Sequence, residues 1–329
     1  MPSKLKVALL GATGETGSSI IRGLIASTQP HYEITALARS ASVNKPALLE
    51  YKKKGVNIVA VDLSGPEAEL AAALKGFDVV ISAIGPSELM QQVQLANGCK
   101  AAGVGRFVPC CFATIVPPKG ILILRDIKED VINHIKKIYL PYTIIDVGWW
   151  YNTTLPRLPS GKIDYALPPY EQSIAGEGTT PYALTDISDI GVYTARIVGD
   201  PRTLNKYVFA YTEMRTQLEI YDLIEKLSGE KVMRNHVPRE DIAAGVAKAE
   251  AKEGQIVVGT PEFYQLAIFQ YWNTWGIRGD NQPEYAKYLG YLLAKDLYPD
   301  LQGKPYLQYC QEVLDGKAHV VYKGVTFFE

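Results

Sequence analysis

Seven residues near the amino terminus constrain the fold more than any other feature of the chain. Gly11-Ala12-Thr13-Gly14-Glu15-Thr16-Gly17 follows the apolar run Val7-Ala8-Leu9-Leu10 directly and opens a helical stretch, Ser18 to Ile25. A strand that turns so abruptly into a helix needs glycine for the turn, for close approach of a ligand to the backbone, and for packing of helix on strand. The helix start then presents free N–H groups and the positive end of its dipole, which suits phosphate. Gly11, Thr13, Gly14, Glu15, Thr16 and Gly17 are therefore expected to cradle a pyrophosphate.

The residues that follow extend this reading. Short β-branched runs alternate with helical stretches at Lys6–Leu10, Glu33–Ala38, Asn57–Val61, Asp78–Ala83, Arg106–Pro109 and Tyr142–Val147. That alternation predicts an α/β fold, a doubly wound parallel Rossmann sheet over residues 1–150. Beyond Trp150 the prolines Pro156, Pro159, Pro168, Pro169 and Pro181 interrupt regular structure in a stretch rich in Gly, Ser and Thr. Helices near Asp189–Val198 and Gln217–Leu227 and a strand near Tyr207–Ala210 follow, then a mainly helical last third rich in Tyr and Trp. Residues 151–329 are read as a smaller, mainly helical substrate cap, with some segments returning to the Rossmann sheet and no capacity to fold alone.

The second strand decides which dinucleotide is preferred. An acidic residue at its end accepts from the ribose hydroxyls and repels a 2′-phosphate. Ile34-Thr35-Ala36-Leu37-Ala38 ends instead in Arg39-Ser40, and a guanidinium holds phosphate through paired hydrogen bonds, so NADPH is expected over NADH. Lys45 is either a second positive charge at this site or an ordinary solvated lysine, and the spacing leaves both open.

A lysine stands within an apolar stripe. On a helix over Arg125–Ile138, Ile127, Val131, Ile132, Ile135 and Ile138 share one face with Lys128, while the charged Glu129, Asp130, Lys136 and Lys137 and the polar Asn133 project to the solvated side. Desolvation makes an ammonium easier to deprotonate and useful for proton transfer, whereas a snorkelling lysine only covers apolar surface. Spacing alone does not separate these. His134, at the margin of this helix, reads as a surface or capping residue, and Asp186 and Asp189 as caps of the next.

Composition excludes several classes of partner. The 329-residue chain has a formal net charge of −1 and no basic cluster, which argues against nucleic acid and anionic membranes. No apolar run approaches the roughly 20 residues of a membrane span, and Met1, Pro2 and Ser3 enter a strand pattern without a cleavable leader, so a cytoplasmic protein is expected. Cys99, Cys110, Cys111 and Cys310 lack metal-ligand spacing, no metal is expected, and the vicinal pair reads as small buried residues at a strand end.

Together the glycine loop, Arg39, the segment Ala101-Ala102-Gly103-Val104-Gly105-Arg106-Phe107-Val108-Pro109, and Lys128 thirteen residues before Pro141-Tyr142-Thr143 resemble the NmrA-like and isoflavone reductase-like branch of atypical short-chain dehydrogenases. The likeness is strong over about residues 5–150 and continues through Thr185-Asp186-Ile187-Ser188-Asp189-Ile190-Gly191. It implies a general acid/base or organising role for Lys128, contact of Asp62 with the adenine region, and placement of Ala83, Ile84 and Gly85 under the cofactor. The usual short-chain dehydrogenase tyrosine, four residues before the lysine, is replaced by Leu124; Tyr291 and Lys295 share that spacing but lie far beyond the relevant strands. Pro109-Cys110-Cys111-Phe112-Ala113 replaces the Pro-Ser-Glu-Phe-Gly of many plant reductases. Through Asp146-Val147-Gly148-Trp149-Trp150-Tyr151-Asn152 the chain is more similar to NmrA-like oxidoreductases of filamentous fungi, many of them associated with secondary metabolism.

Trp149, Trp150 and Tyr151 follow the sixth strand and, with Phe112, are expected to line a pocket for a flat substrate, although three consecutive aromatics can equally pack against the helical cap and at least one of them is expected to do so. Phe263, Tyr264, Phe269, Tyr271, Trp272 and Trp275 are read as core packing of a helical segment. The expected activity is NADPH-dependent reduction of an aromatic or polyketide-like small molecule, with Lys128 supplying or organising the proton. A dinucleotide-sensing regulator without turnover and a non-redox isomerase or cyclase are the alternatives, and a homodimer is left open.

Overall fold

The computed structural model describes residues 4–168, 172–251 and 256–322. Met1–Ser3 and Pro169, used above, lie outside them. Five strands, β1 (Leu5–Leu10), β2 (Tyr32–Ala38), β3 (Asn57–Ala60), β4 (Val79–Ser82) and β5 (Arg106–Val108), form a parallel sheet in the order β3-β2-β1-β4-β5. β6 (Thr143–Asp146) continues it through a parallel bridge between Phe107 and Tyr142, and pairs in turn with Lys206–Phe209, which pairs with Leu292–Leu293. Each of the six expected strands is present with ends within a residue of those read from the β-branched runs.

Helices cover both faces. α1 (Glu15–Ala26) and α2 (Pro46–Lys53) lie on one, where Ile20, Ile21, Leu24 and Leu48 are buried against Val7, Leu9 and Ala36. α3 (Glu67–Leu74), α4 (Gln92–Ala102) and α5 (Ile123–Lys137) lie on the other, where Leu70, Leu95, Val131 and Ile135 pack on Ala8, Val80 and Phe107. α6 (Ile187–Val198) then returns to the first face and crosses α1 with the two backbones in contact. A Cβ on Gly23 would stand 2.2 Å from the carbonyl of Gly191, and one on Gly191 would stand 1.9 Å from the carbonyl oxygen of Ser19. Ser19 closes the crossing by donating to the Ser188 carbonyl at 3.1 Å and accepting from the Gly191 N–H at 2.9 Å.

The residues after Trp150 also build a core of their own, in which Tyr151, Tyr182, Tyr221, Trp275, Tyr306 and Tyr309 are buried together. Asp186 caps α6 as expected, its Oδ1 accepting from Ser188 N at 2.7 Å. Asp189 does not: it lies within the helix, buried, and accepts from Thr212 Oγ1 and Lys304 N instead. The helix begins two residues earlier than the sequence suggests, which moves Asp189 from the cap into the first turn.

Candidate active site

The strand order reverses at β1, so the crevice beyond the carboxyl ends of β1 and β4 is where an open α/β sheet binds ligands. The glycine loop sits there. Gly11 has φ +84°, and a Cβ on it would lie 2.3 Å from the Ala83 carbonyl oxygen; one on Gly17 would lie 2.0 Å from that of Gly11. Those two glycines are demanded by packing alone. Gly14 and Gly85 are different, because a Cβ on Gly14 would make only ordinary contacts, one on Gly85 would meet nothing within 4 Å, and both line the cleft. Gly14 is the N-cap of α1 and no side chain caps that helix, so its first turn offers backbone N–H groups to the cleft. A naked backbone, an uncapped helix start and open space in front of them fit a pyrophosphate.

The cleft opens into a cavity of about 420 Å³, largely apolar, walled at one end by Gly14, Glu15, Thr16, Ala83, Ile84 and Gly85. The remaining residues expected at the cofactor lie outside it. Arg39 follows β2 with its side chain 76% exposed and is 3.5 Å from Glu88. Lys45 is exposed and precedes α2, and Asp62 is exposed after β3, where Ser64 donates to its Oδ1 twice and holds the carboxyl below its usual range. Thr13 is exposed on the glycine loop and does not line the cavity.

Lys128 reaches the cavity from α5 and donates from Nζ to the Cys111 carbonyl oxygen at 2.5 Å. Its acceptor belongs to a loop turned sharply at Phe112, whose φ of +37° is unusual for a residue with a side chain. Phe112 N donates to Ile145 O at 2.8 Å, and Val147 N and Gly148 N both donate to Ala113 O, so the loop is held on the edge of β6. α5 is anchored one turn before the lysine. Arg125, buried, donates to Glu129 at 2.8 Å, Asp146 at 2.7 Å and Tyr291 Oη at 2.9 Å, and Tyr291 donates to Asp146 at 2.7 Å.

This network corrects the helical wheel. Glu129, expected among the solvated charges, is 5% exposed and paired inside, while Ile127 and Ile138 are only half-buried. Periodicity missed it because Tyr291, which covers that side of the helix, lies far along the chain. Tyr291 and Lys295 form no catalytic pair: the tyrosine is bonded to Asp146 and Arg125, and Lys295 donates to the Thr212 carbonyl. His134 is part-buried at 2.7 Å from Asn97 Oδ1. Burial pushes the Cys110 and Cys111 thiols up, against the pull of Lys128, which leaves them protonated and poorly suited to redox exchange.

Phe112, Trp149 and Trp150 line the cavity. Tyr151 does not, which overturns its assignment to the substrate pocket: it is fully buried, edge-on to Tyr306 at 4.7 Å, with its hydroxyl donating to Lys304 O. The turn after Trp150 points it into the second core. Two tyrosines replace it. Tyr264 and Tyr271, read as core, line the cavity with Ile268 from the helix Pro261–Tyr271, while Phe263 and Leu266 on its other side are buried. The spacing 264, 268, 271 marks a single helix face and is the signal that was available in the sequence. Among the described residues no group of three or more His, Cys, Asp and Glu side chains could hold a metal ion, and no helix is long and apolar enough to cross a membrane.

The strand order and the glycine-loop cleft define a Rossmann-type α/β protein. A family model described as the NmrA-like family matches residues 3–265, and the chain belongs to that family. It is 44% identical over 319 residues to an asnovolin J 5′,6′-dehydrogenase of Aspergillus novofumigatus, covering 95% of this chain and 96% of that one. It is 30% identical to a bifunctional pinoresinol-lariciresinol reductase of Thuja plicata, over 81% of this chain and 88% of the other. Among solved structures, the binary complex of leucoanthocyanidin reductase with NADPH from Vitis vinifera superposes with a TM-score of 0.76 at 22% identity, covering 94% and 99% of the two chains, which establishes the shared fold.

Proposed function

We propose that this protein is an NADPH-dependent oxidoreductase that reduces a small aromatic or polyketide-like metabolite, with residues 1–150 binding the cofactor and 151–329 forming the substrate cap. The observation that carries the reading is one continuous cavity that joins the uncapped, glycine-bare start of α1 to Lys128 and to an aromatic wall of Trp149, Trp150, Tyr264 and Tyr271. When bound, NADPH supplies a hydride. Gly14, Thr16 and the first-turn N–H groups hold its pyrophosphate, Arg39 and the neighbouring Lys45 its 2′-phosphate, Asp62 the adenine side, and Ala83 to Gly85 form the floor. Lys128, fixed by the Cys111 carbonyl, delivers the proton to the substrate oxygen, directly or through water. The relative named a dehydrogenase favours a second direction, in which the substrate would lose a hydride to NADP⁺ and a proton to the same lysine in its neutral form. A cavity of this size and lining gives a sensor that binds only dinucleotide nothing to do with its aromatic half.

Calorimetric titration tests the cofactor half. NADPH is expected to bind more tightly than NADH, and Arg39→Asp to weaken NADPH by roughly 1–2 kcal/mol or more while sparing NADH. In a screen of aromatic ketones and enones followed by NADPH oxidation, Lys128→Met should cut turnover by about a hundredfold or more with folding intact. Full turnover in that variant would remove the proton role.

A further inference from the structure

The last described residues lie across the glycine loop. His319 donates from Nε2 to Glu15 Oε2 at 2.7 Å, and the backbone N–H of Tyr322 donates to Glu15 Oε1 at 3.1 Å. Glu15 is the first residue of α1, inside the loop expected to hold phosphate, so its carboxylate is engaged by His319 and Tyr322 on the wall of the cofactor cleft. Three more contacts fix the segment: Ala318 N donates to Tyr165 Oη at 3.2 Å, Asn152 Nδ2 donates to His319 O at 3.2 Å, and Val321 is 3% exposed in the core beside α1. Tyr322 takes φ +57°, a conformation that costs energy for a residue with a Cβ and persists only where surrounding contacts demand it. The turn puts its N–H on Glu15 and its ring on Trp150, nearly parallel at 16° with centroids 6.2 Å apart, so that Tyr322 lines the cavity.

We infer that residues 318–322 are a third contributor to the ligand site, and that Tyr322 is a cofactor-retaining residue that closes the pyrophosphate and nicotinamide end of the cleft. The inference rests on the proposed NADPH site. It also accounts for an acidic residue in a phosphate-binding turn. A bare carboxylate at that position repels the dinucleotide, whereas one engaged by His319 and the Tyr322 N–H serves as the anchor of the clasp.

The test acts on the tail side only, because changing Glu15 would alter the charge beside the phosphates as well. Dissociation of NADPH, followed by the loss of its bound-state fluorescence after dilution into excess NADP⁺, is compared for the wild type, Tyr322→Ala, Tyr322→Phe and Val321→Asp in the full-length chain. Release should be roughly tenfold faster in Tyr322→Ala and Val321→Asp, and within about twofold of wild type in Tyr322→Phe, with circular dichroism unchanged. Val321→Asp should also expose the Lys317–Ala318 bond to trypsin, and NADPH should protect that bond in the wild type. Wild-type release rates in both Tyr322→Ala and Val321→Asp, with wild-type NADPH binding intact, would overturn the clasp alone. Absence of NADPH binding to the wild-type chain would bring down the cofactor site and the clasp together.

Discussion

Asp189 is held where its charge is unwelcome. It is 8% exposed in the first turn of α6, and burial, reinforced by the charge of Asp186, outweighs the hydrogen bonds from Lys304 N and Thr212 and the charge of Lys304, so its carboxyl is pushed up from 3.8 to about 6. The folded protein therefore keeps this proton over a range in which the unfolded chain has lost it. Stability contributed by the protonated form is complete below about pH 4, falls as pH rises, and is gone above about pH 6. A shift of this size corresponds to about 3 kcal/mol. Asp189→Asn keeps an acceptor for Lys304 N while removing the titration. Urea unfolding at a series of pH values should show the variant gaining on the wild type by up to roughly 3 kcal/mol between about pH 4 and pH 7. Parallel stability curves for the two proteins would show that Asp189 does not titrate in this way.

At the scale of elements, the crossing of α1 and α6 joins the first half of the chain to the second. Because Gly191 meets the Ser19 carbonyl rather than a side chain, no rotamer change can make room for a methyl group there. Gly191→Ala should lower the urea midpoint by the equivalent of about 2–3 kcal/mol with the slope of the transition unchanged, whereas an effect below about 0.5 kcal/mol would mean the helices separate freely. The six strands and α1 were legible in the sequence, because β-branched runs and glycine spacing are local signals. The places of Phe112, Trp149 and Trp150 on the cavity wall were legible because each follows a readable strand, whereas Lys128, in the middle of α5, was singled out by the family resemblance and not by its spacing. The Arg125–Glu129–Asp146–Tyr291 network, the inward turn of Tyr151 and the approach of His319 to Glu15 were not. In each the deciding partner comes from a segment distant in sequence, and helical periodicity describes only one element at a time.

Whether the two halves are separable is a question about the whole molecule. We propose that they are not, although residues 1–150 contain the five-stranded sheet and the glycine loop. The core on the α1 face is completed by Ile187, Ile190, Tyr193 and Val198 of α6, by Val208 and by Ala294, all from the second half. Polar groups depend on that half too. Arg106 in β5, 7% exposed, donates to Ile197 O at 3.0 Å, Thr203 Oγ1 at 3.0 Å and Asp200 O at 2.9 Å, and Tyr32 donates to the Ala195 carbonyl. Cutting the chain after Trp150 leaves the guanidinium of Arg106 without these acceptors and exposes an apolar face that α6 otherwise covers. A fragment of residues 1–150 should therefore bind a hydrophobic dye, lack near-ultraviolet dichroism and melt without a cooperative transition, even with NADPH present. A sharp thermal transition in that fragment, raised by NADPH, would instead identify the first half as an independent cofactor domain and make α6 an attachment rather than part of its core.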